Sequence, residues 1–194
     1  MEIKSVCVYC ASSSKIDNAY FEAAERLGQL LATNNITCVC GAGIKGLMGS
    51  LTESVLQNGG KVKGIIPHFM HKEGWCHPDI TDLILTDTMH ERKNLMAQNA
   101  DAVIAMPGGC GTMEELLEII TWRQLDLYRN PIIILNTKGY YDPLIQMLKN
   151  AIDETFMREE HGQIWQVANT PEEALQLLSN EQARVKIMRK FAAI

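Results

Sequence analysis

This sequence has no surplus of positive charge: its 194 residues carry 18 Lys+Arg against 23 Asp+Glu, a formal net charge of −5. No global positive field can neutralise a nucleic-acid backbone or an anionic membrane, so any phosphate must be bound locally, and neither nucleic acid nor membrane is expected as a partner. Long hydrophobic runs are missing too. Every apolar stretch is broken by polar residues well short of the ~18 needed to span a bilayer. Met1-Glu2-Ile3-Lys4 leads straight into a strand-like run with no signal-peptide core, so a cytoplasmic location is expected. No internal repeat and no linker rich in Pro, Gly or Ser divides the chain, and residues 1–194 are expected to form one domain. The five histidines, His68, His71, His77, His90 and His161, match no known zinc spacing, and no metal is expected. A chain of this length without a secretion signal does not depend on disulfide staples, so the six cysteines are expected as reduced thiols.

What is present is a core-forming composition, with 46% apolar residues, and a regular alternation of strand-length apolar runs with helical periods. The pattern predicts strands over Ser5–Tyr9, Thr37–Cys40, Val62–Ile66, Leu83–Leu85, Ala102–Met106 and Ile132–Leu135, and a short run over Trp165–Ala168 leads to the last helix. Helices are predicted over Ala19–Thr33, Leu47–Gln57, Met89–Asn99, Met113–Leu127 and Pro143–Thr155. Thr170, Pro171 and Glu173 mark the start of a last helix as a capping box with proline at its first position. His68–Pro78 has no periodicity and reads as one mobile loop. The fold class expected is α/β: a single-domain, doubly wound, Rossmann-like, mostly parallel sheet with helices on both faces.

Four segments could carry chemistry. Cys10-Ala11-Ser12-Ser13-Ser14 sets small hydroxyls at the carboxyl edge of the first strand, where open α/β sheets bind ligands, although serines also simply make turns. Cys7 and Cys10 form a C-x-x-C, but Cys7 lies inside a strand, against a redox role. Gly41-Ala42-Gly43-Ile44-Lys45-Gly46-Leu47-Met48-Gly49 contains G-x-G-x-x-G at a strand-to-helix turn. The next strand ends without the acidic residue a dinucleotide site needs, and no Gly-Lys-Ser/Thr is present for a Walker loop. A phosphate-sized turn and tight helix packing both remain open there.

The second glycine turn, Pro107-Gly108-Gly109-Cys110-Gly111-Thr112-Met113-Glu114-Glu115, follows a buried strand and opens a long helix. Its glycines free the backbone to wrap a phosphate at the positive end of the helix dipole. Glu115, three residues after Thr112, is either the far half of a capping box or a general base beside the bound phosphate. Arg92 and Lys93, in Met89-His90-Glu91-Arg92-Lys93, are expected in the first turn of their helix, where cations oppose the macrodipole and call for an anion. Either a surface ion pair or an anionic substrate would answer that need, and a guanidinium suits phosphate or carboxylate.

Together these four segments closely resemble the LOG (LONELY GUY) family of cytokinin riboside 5′-monophosphate phosphoribohydrolases, some of which have been labelled lysine decarboxylases. The resemblance runs to about Glu154, through Thr121-Trp122, Gln124-Leu125 and Asn136-Thr137-Lys138-Gly139-Tyr140-Tyr141. The P-G-G-x-G-T-x-x-E motif with an upstream Arg-Lys pair is its most specific part. The resemblance implies cytokinin biosynthesis: hydrolysis of the N-glycosidic bond of AMP, often N6-modified, to free base and ribose 5-phosphate. It implies Arg92 and Glu115 as catalytic. It further implies nucleotide contacts from Ser12, Ser13, Gly43, Gly46, Met89, Lys93, Gly108, Gly109, Gly111, Thr112, Glu114 and Thr121. No cofactor and a homodimer are also implied. Related folds bind nucleotide-like cofactors without turnover, which keeps a carrier as the alternative. A lysine decarboxylase would need a Schiff-base lysine for pyridoxal phosphate, and nothing in the sequence marks one. Ala11 and Ala42 stand where the family usually has glycine, and Cys110 where it usually has an aromatic residue.

Overall fold

The computed structural model describes residues 2–179. In chain order its elements are β1 (Ser5–Tyr9), α1 (Asn18–Thr33), β2 (Thr37–Cys40), α2 (Gly46–Gln57), β3 (Val62–Pro67), α3 (His68–Lys72) and β4 (Asp82–Thr86). There follow α4 (Met89–Gln98), β5 (Ala102–Ala105), α5 (Cys110–Gln124), β6 (Ile132–Leu135), α6 (Asp142–Asp153), β7 (Gln166–Ala168) and α7 (Pro171–Ser179). The seven strands form one sheet in the order β4-β3-β2-β1-β5-β6-β7, and every pairing is parallel. The doubly wound α/β expectation holds.

Strand alternation divides the core in two. Val6 and Val8 of β1 face one cluster with Ala24, Leu27 and Leu31 of α1 and Leu47 and Leu51 of α2. Cys7 and Tyr9 face the other, with Met96 of α4 and Leu116, Ile119 and Ile120 of α5. The central strands of a parallel sheet covered on both sides must be apolar on both faces, which is why β5 and β6 read as unbroken apolar runs. Helix α1 comes close to α2 at Gly28, where a Cβ would lie 2.8 Å from the Leu51 carbonyl oxygen. The chain winds outward from β1 in one direction and resumes at β5 on β1's other side. The carboxyl ends of β1 and β5 therefore flank the switch point, the position at which open sheets of this kind leave a crevice.

Four expectations are corrected. His68–Pro78 is not a free loop: its first five residues form α3, and Cys76 bridges back to Gly43. Five residues are too few to carry a readable period. Helix α5 starts at Cys110 with Gly109 as its N-cap, three residues before the predicted start, because the glycine-rich first turn has no apolar pattern to read. Helix α4 is capped by Thr88, whose hydroxyl accepts from the Glu91 N–H at 3.1 Å, so Arg92 and Lys93 lie beyond the first turn. Glu91 is the acid of that turn, and the conflict with the dipole does not arise. The box at α7 forms with a shift: Thr170 Oγ1 accepts from the Glu173 N–H, but Glu173 accepts from Asn169, one residue earlier than a standard box.

All six cysteines are free. No helix among the described residues is long and apolar enough to cross a membrane.

Candidate active site

Two glycine-rich turns reach the carboxyl edge of the sheet, and their surroundings differ. At the first, the N–H groups of Leu47 and Met48 at the start of α2 both donate to the Ala11 carbonyl, at 2.9 and 3.3 Å. That carbonyl, two residues past β1, already occupies the place an anion would take. A Cβ on Gly46, which has φ of +63°, would lie 2.5 Å from the Ser12 carbonyl carbon, and one on Gly49 would lie 2.2 Å from the Ile44 carbonyl oxygen. Tight packing, not phosphate binding, accounts for Gly46 and Gly49. Ala42 takes φ of +59°, a left-handed conformation that favours glycine, which matches the glycine usual in the family.

The second turn is open. No protein acceptor meets the first-turn N–H groups of α5 at Cys110, Gly111 and Thr112 among the described residues, and Gly109 supplies no side-chain cap. Gly108 is required by packing, since a Cβ there would lie 2.2 Å from Thr112 Oγ1. Gly109 and Gly111 are not: a Cβ on either would meet no atom within 4 Å, and neither has positive φ. Glycines that the protein's own packing does not demand, at an uncapped helix N-terminus, form a surface to which an anion can come close.

Glu115 sits in the second turn of α5, past the capping positions, so the capping-box reading falls. Its carboxyl accepts no hydrogen bond among the described residues. Burial pushes it up to about 7, opposed chiefly by the charge of nearby Arg92, with Lys93 adding to that opposition. Arg92 is itself buried, with 6% of its surface exposed. Its Nε donates to the Ile65 carbonyl at 3.1 Å and its Nη2 to the Gly41 carbonyl at 3.3 Å. These two carbonyls, in β3 and just past β2, set the guanidinium plane and leave Nη1 beside the Met89 sulfur at 3.9 Å. A Cβ on Gly41 would lie 1.8 Å from Nη2, so this glycine exists to admit the arginine.

Lys93 points instead to α5, where it pairs with Glu114 and, at 3.1 Å, with Glu118. Burial works against its charge, but the two carboxylates outweigh burial and its pKa is raised. Glu118 had no sequence signal beyond its place one turn after Glu114. The other predicted contacts divide. Ser12 and Gly43 line a cavity of about 360 Å³ with Met48, Met70, Trp75 and Arg92. Ser13 Oγ accepts from the Lys15 N–H at 3.3 Å, the turn role expected of a serine. Thr121, six residues past Glu115, is exposed and donates to the Leu117 carbonyl of its own helix, so this subunit does not bring it to the cluster. Met70 and Trp75 went unread because the segment carrying them has no period. It is held over the first glycine turn by hydrogen bonds from Ile44 N to the Trp75 carbonyl and from His77 N to the Ala42 carbonyl.

The C-x-x-C pair is buried and burial pushes both the Cys7 and Cys10 thiols up, so neither resembles a redox nucleophile.

The family model described as "Possible lysine decarboxylase" matches residues 48–178. The chain is 41% identical over 175 residues to the cytokinin riboside 5′-monophosphate phosphoribohydrolase LOG2 of Arabidopsis thaliana, covering 90% of this chain and 82% of that protein. Similarity to LOG7 of the same plant is 44% over 154 residues, 79% of this chain and 71% of the relative. Among solved structures, the molybdenum cofactor binding protein of Rippkaea orientalis superposes with a TM-score of 0.70 at 22% identity, over 92% of this chain and 97% of that one. The molybdenum cofactor carrier protein of Chlamydomonas reinhardtii does so with a TM-score of 0.70 at 17% identity, over 92% and 100%. Likeness at these identities shows a shared fold. The sequence relatives show more, and the chain belongs to the LOG family of cytokinin riboside 5′-monophosphate phosphoribohydrolases.

Proposed function

We propose that this protein is a phosphoribohydrolase that cleaves the N-glycosidic bond of adenosine 5′-monophosphate or an N6-modified AMP, releasing the free base and ribose 5-phosphate. The observation that carries the reading is Glu115: a desolvated carboxyl with a pKa near 7, no hydrogen-bond partner, and an arginine beside it. Cleaving a nucleoside N-glycosidic bond builds positive charge on the ribose. A carboxylate at the anomeric carbon stabilises that charge and can deprotonate the attacking water, work worth about 10²–10⁴-fold. Arg92 stays protonated and cannot be the base. Its role is to hold the sugar or phosphate oxygens so that the anomeric carbon sits over Glu115.

The 5′-phosphate is assigned to the open N-terminus of α5, with the backbone N–H groups of Gly109, Gly111 and Thr112 as donors and Gly108 and Thr112 shaping the turn. Lys93, held by Glu114 and Glu118, adds positive charge beside Glu115. The cavity lined by Ser12, Gly43, Met70 and Trp75, with Met89 next to Arg92, is assigned to the base, and its apolar lining suits an N6 substituent. Gly46, whose backbone packs against that of Ser12, and Ser13, which accepts a turn bond from Lys15, stand behind that lining.

Pyridoxal phosphate, implied by the lysine decarboxylase label, does not fit. Lys93, the buried lysine of the cluster, is held protonated by two carboxylates, the opposite of what a Schiff base requires. We further assign all of this to one nucleotide-binding α/β domain, working in the cytoplasm as a homodimer. Exposed Leu117, Leu125 and Leu127 on and just after α5 support a partner surface, whereas Ile119 and Ile120 of the same helix are spent inside the subunit.

The test is free-base release from AMP, GMP, CMP and N6-isopentenyl-AMP. Adenine nucleotides should be cleaved best. Tight binding of one of them without cleavage would overturn the hydrolase and install the carrier.

A further inference from the structure

Two adjacent tyrosines reach the strand and turn that lead into α5, and neither was read from the sequence as a site residue. The Tyr141 hydroxyl donates to the Met106 carbonyl at 2.7 Å, and the Tyr140 hydroxyl donates to the Gly108 carbonyl at 2.5 Å. Their own mounting is rigid. Asn136 Oδ1 accepts from the Tyr141 N–H at 2.7 Å, and Asn136 Nδ2 donates to Asp142 at 2.7 Å. The Tyr140 ring lies edge-on to Tyr20 and to Tyr141, with centroids 6.0 and 5.1 Å away. The turn between β6 and α6 needs Lys138 at φ +59° and Gly139 at φ +70° to bring the pair into place.

The bond from Tyr140 has a consequence for the anion surface. The peptide joining Gly108 to Gly109 is flanked by two residues without a Cβ, so it can rotate as a plane at little steric cost. In a trans peptide the C=O and N–H point in opposite directions. A rotated plane would therefore exchange the Gly109 N–H for the Gly108 carbonyl, turning a donor into a repelling oxygen. Tying that carbonyl to Tyr140 removes the alternative. No acceptor from the protein meets the Gly109 N–H among the described residues.

We propose that Tyr140 is a positioning residue that locks the Gly108–Gly109 peptide so that the Gly109 N–H faces the substrate's phosphate. This rests on the phosphate assignment made above. It gives the part-exposed Tyr140 a task distinct from that of the buried Tyr141, which braces the chain just past β5.

Tyr140→Phe keeps the ring contacts and removes only the donor. For AMP, KM should rise about tenfold with kcat within about twofold, since a lost hydrogen bond to the loop weakens binding without touching Glu115. Inhibition by ribose 5-phosphate should weaken by a similar factor, while kcat/KM for adenosine, which has no phosphate, should not move. Tyr141→Phe should lower Tm and leave the KM for AMP near its wild-type value. An unchanged KM for AMP in a folded Tyr140→Phe protein, or equal losses with AMP and adenosine, would overturn the proposal. Calorimetric titration with AMP separates it from the reaction itself. A wild-type protein that binds AMP more tightly than Tyr140→Phe but releases no base would overturn the hydrolase and support the lock. A wild-type protein that binds neither AMP nor ribose 5-phosphate would overturn both.

Discussion

Glu115 keeps its proton up to about pH 7 because the cost of burying its charge exceeds the help of Arg92 and Lys93. Its folded pKa is thus raised above the ordinary value, and the folded state holds a proton that the unfolded chain has already lost between about pH 4.5 and 7. The resulting stability is present below the unfolded pKa and lost as pH rises through the folded one, a change on the order of 3 kcal/mol. Glu115→Gln removes this dependence, so urea unfolding should show the variant more stable than wild type at pH 8 and no more stable at pH 4. A variant less stable than wild type at pH 8 would mean that the carboxylate is not desolvated. In the wild type the acid limb of kcat/KM should fall near pH 7, and Arg92→Gln should move it upward by removing the largest opposing charge. Arg92→Lys keeps the charge but cannot reach both the Ile65 and Gly41 carbonyls with one planar fork, so kcat/KM should fall on the order of 10²-fold. Gly41→Ala should reproduce that loss without touching any catalytic group, because its Cβ would occupy the position of Arg92 Nη2. Normal turnover in a folded Gly41→Ala protein would contradict the placement of Arg92.

Helices α2 and α5 show what local pattern can and cannot reveal. Both follow a strand and a run of glycines, and the sequence offered a phosphate turn at each, with tight helix packing left open for the first. They are separated by a long-range event, the donation of two α2 N–H groups to the carbonyl of Ala11, which no spacing rule encodes. The same blindness applies to Arg92. Its position near the start of α4 was legible, but its anchors in β3 and after β2 were not, and the expected clash with the helix dipole vanished once Thr88 proved to be the cap. Glycine substitutions separate the two turns experimentally. Gly49→Ala drives a Cβ to 2.2 Å from the Ile44 carbonyl oxygen and should destabilise the fold by about 1–3 kcal/mol. Gly111→Ala meets no protein atom, so Tm should hold or rise, while KM for AMP should increase because the methyl group intrudes on the anion surface. A Gly111→Ala protein with wild-type KM would remove α5 as the phosphate site.

At the scale of the whole molecule, the alternation of buried strands and amphipathic helices was enough to read a parallel sheet covered on both faces, since such strands must be apolar on both sides. The order of the strands was not legible, yet it places the ends of β1 and β5 together and with them Ser12, Gly108 and the start of α5. Helix α5 carries two kinds of apolar residue that the sequence could not sort: Ile119 and Ile120 go to the core, while Leu117 stays exposed, as do Leu125, 51% exposed, and Leu127, 71% exposed, just beyond it. Light scattering at micromolar concentration should give twice the 21.7 kDa chain mass, and a monomer mass would reject the homodimer. The most direct test of the central claim is release of free adenine from AMP by wild type and Glu115→Gln, each shown to be folded by circular dichroism. Loss of the buried carboxylate should lower kcat by roughly 10²-fold or more, because both the proton acceptor and the charge opposing the ribosyl cation disappear. Near-normal adenine release by the folded Glu115→Gln protein would contradict the account.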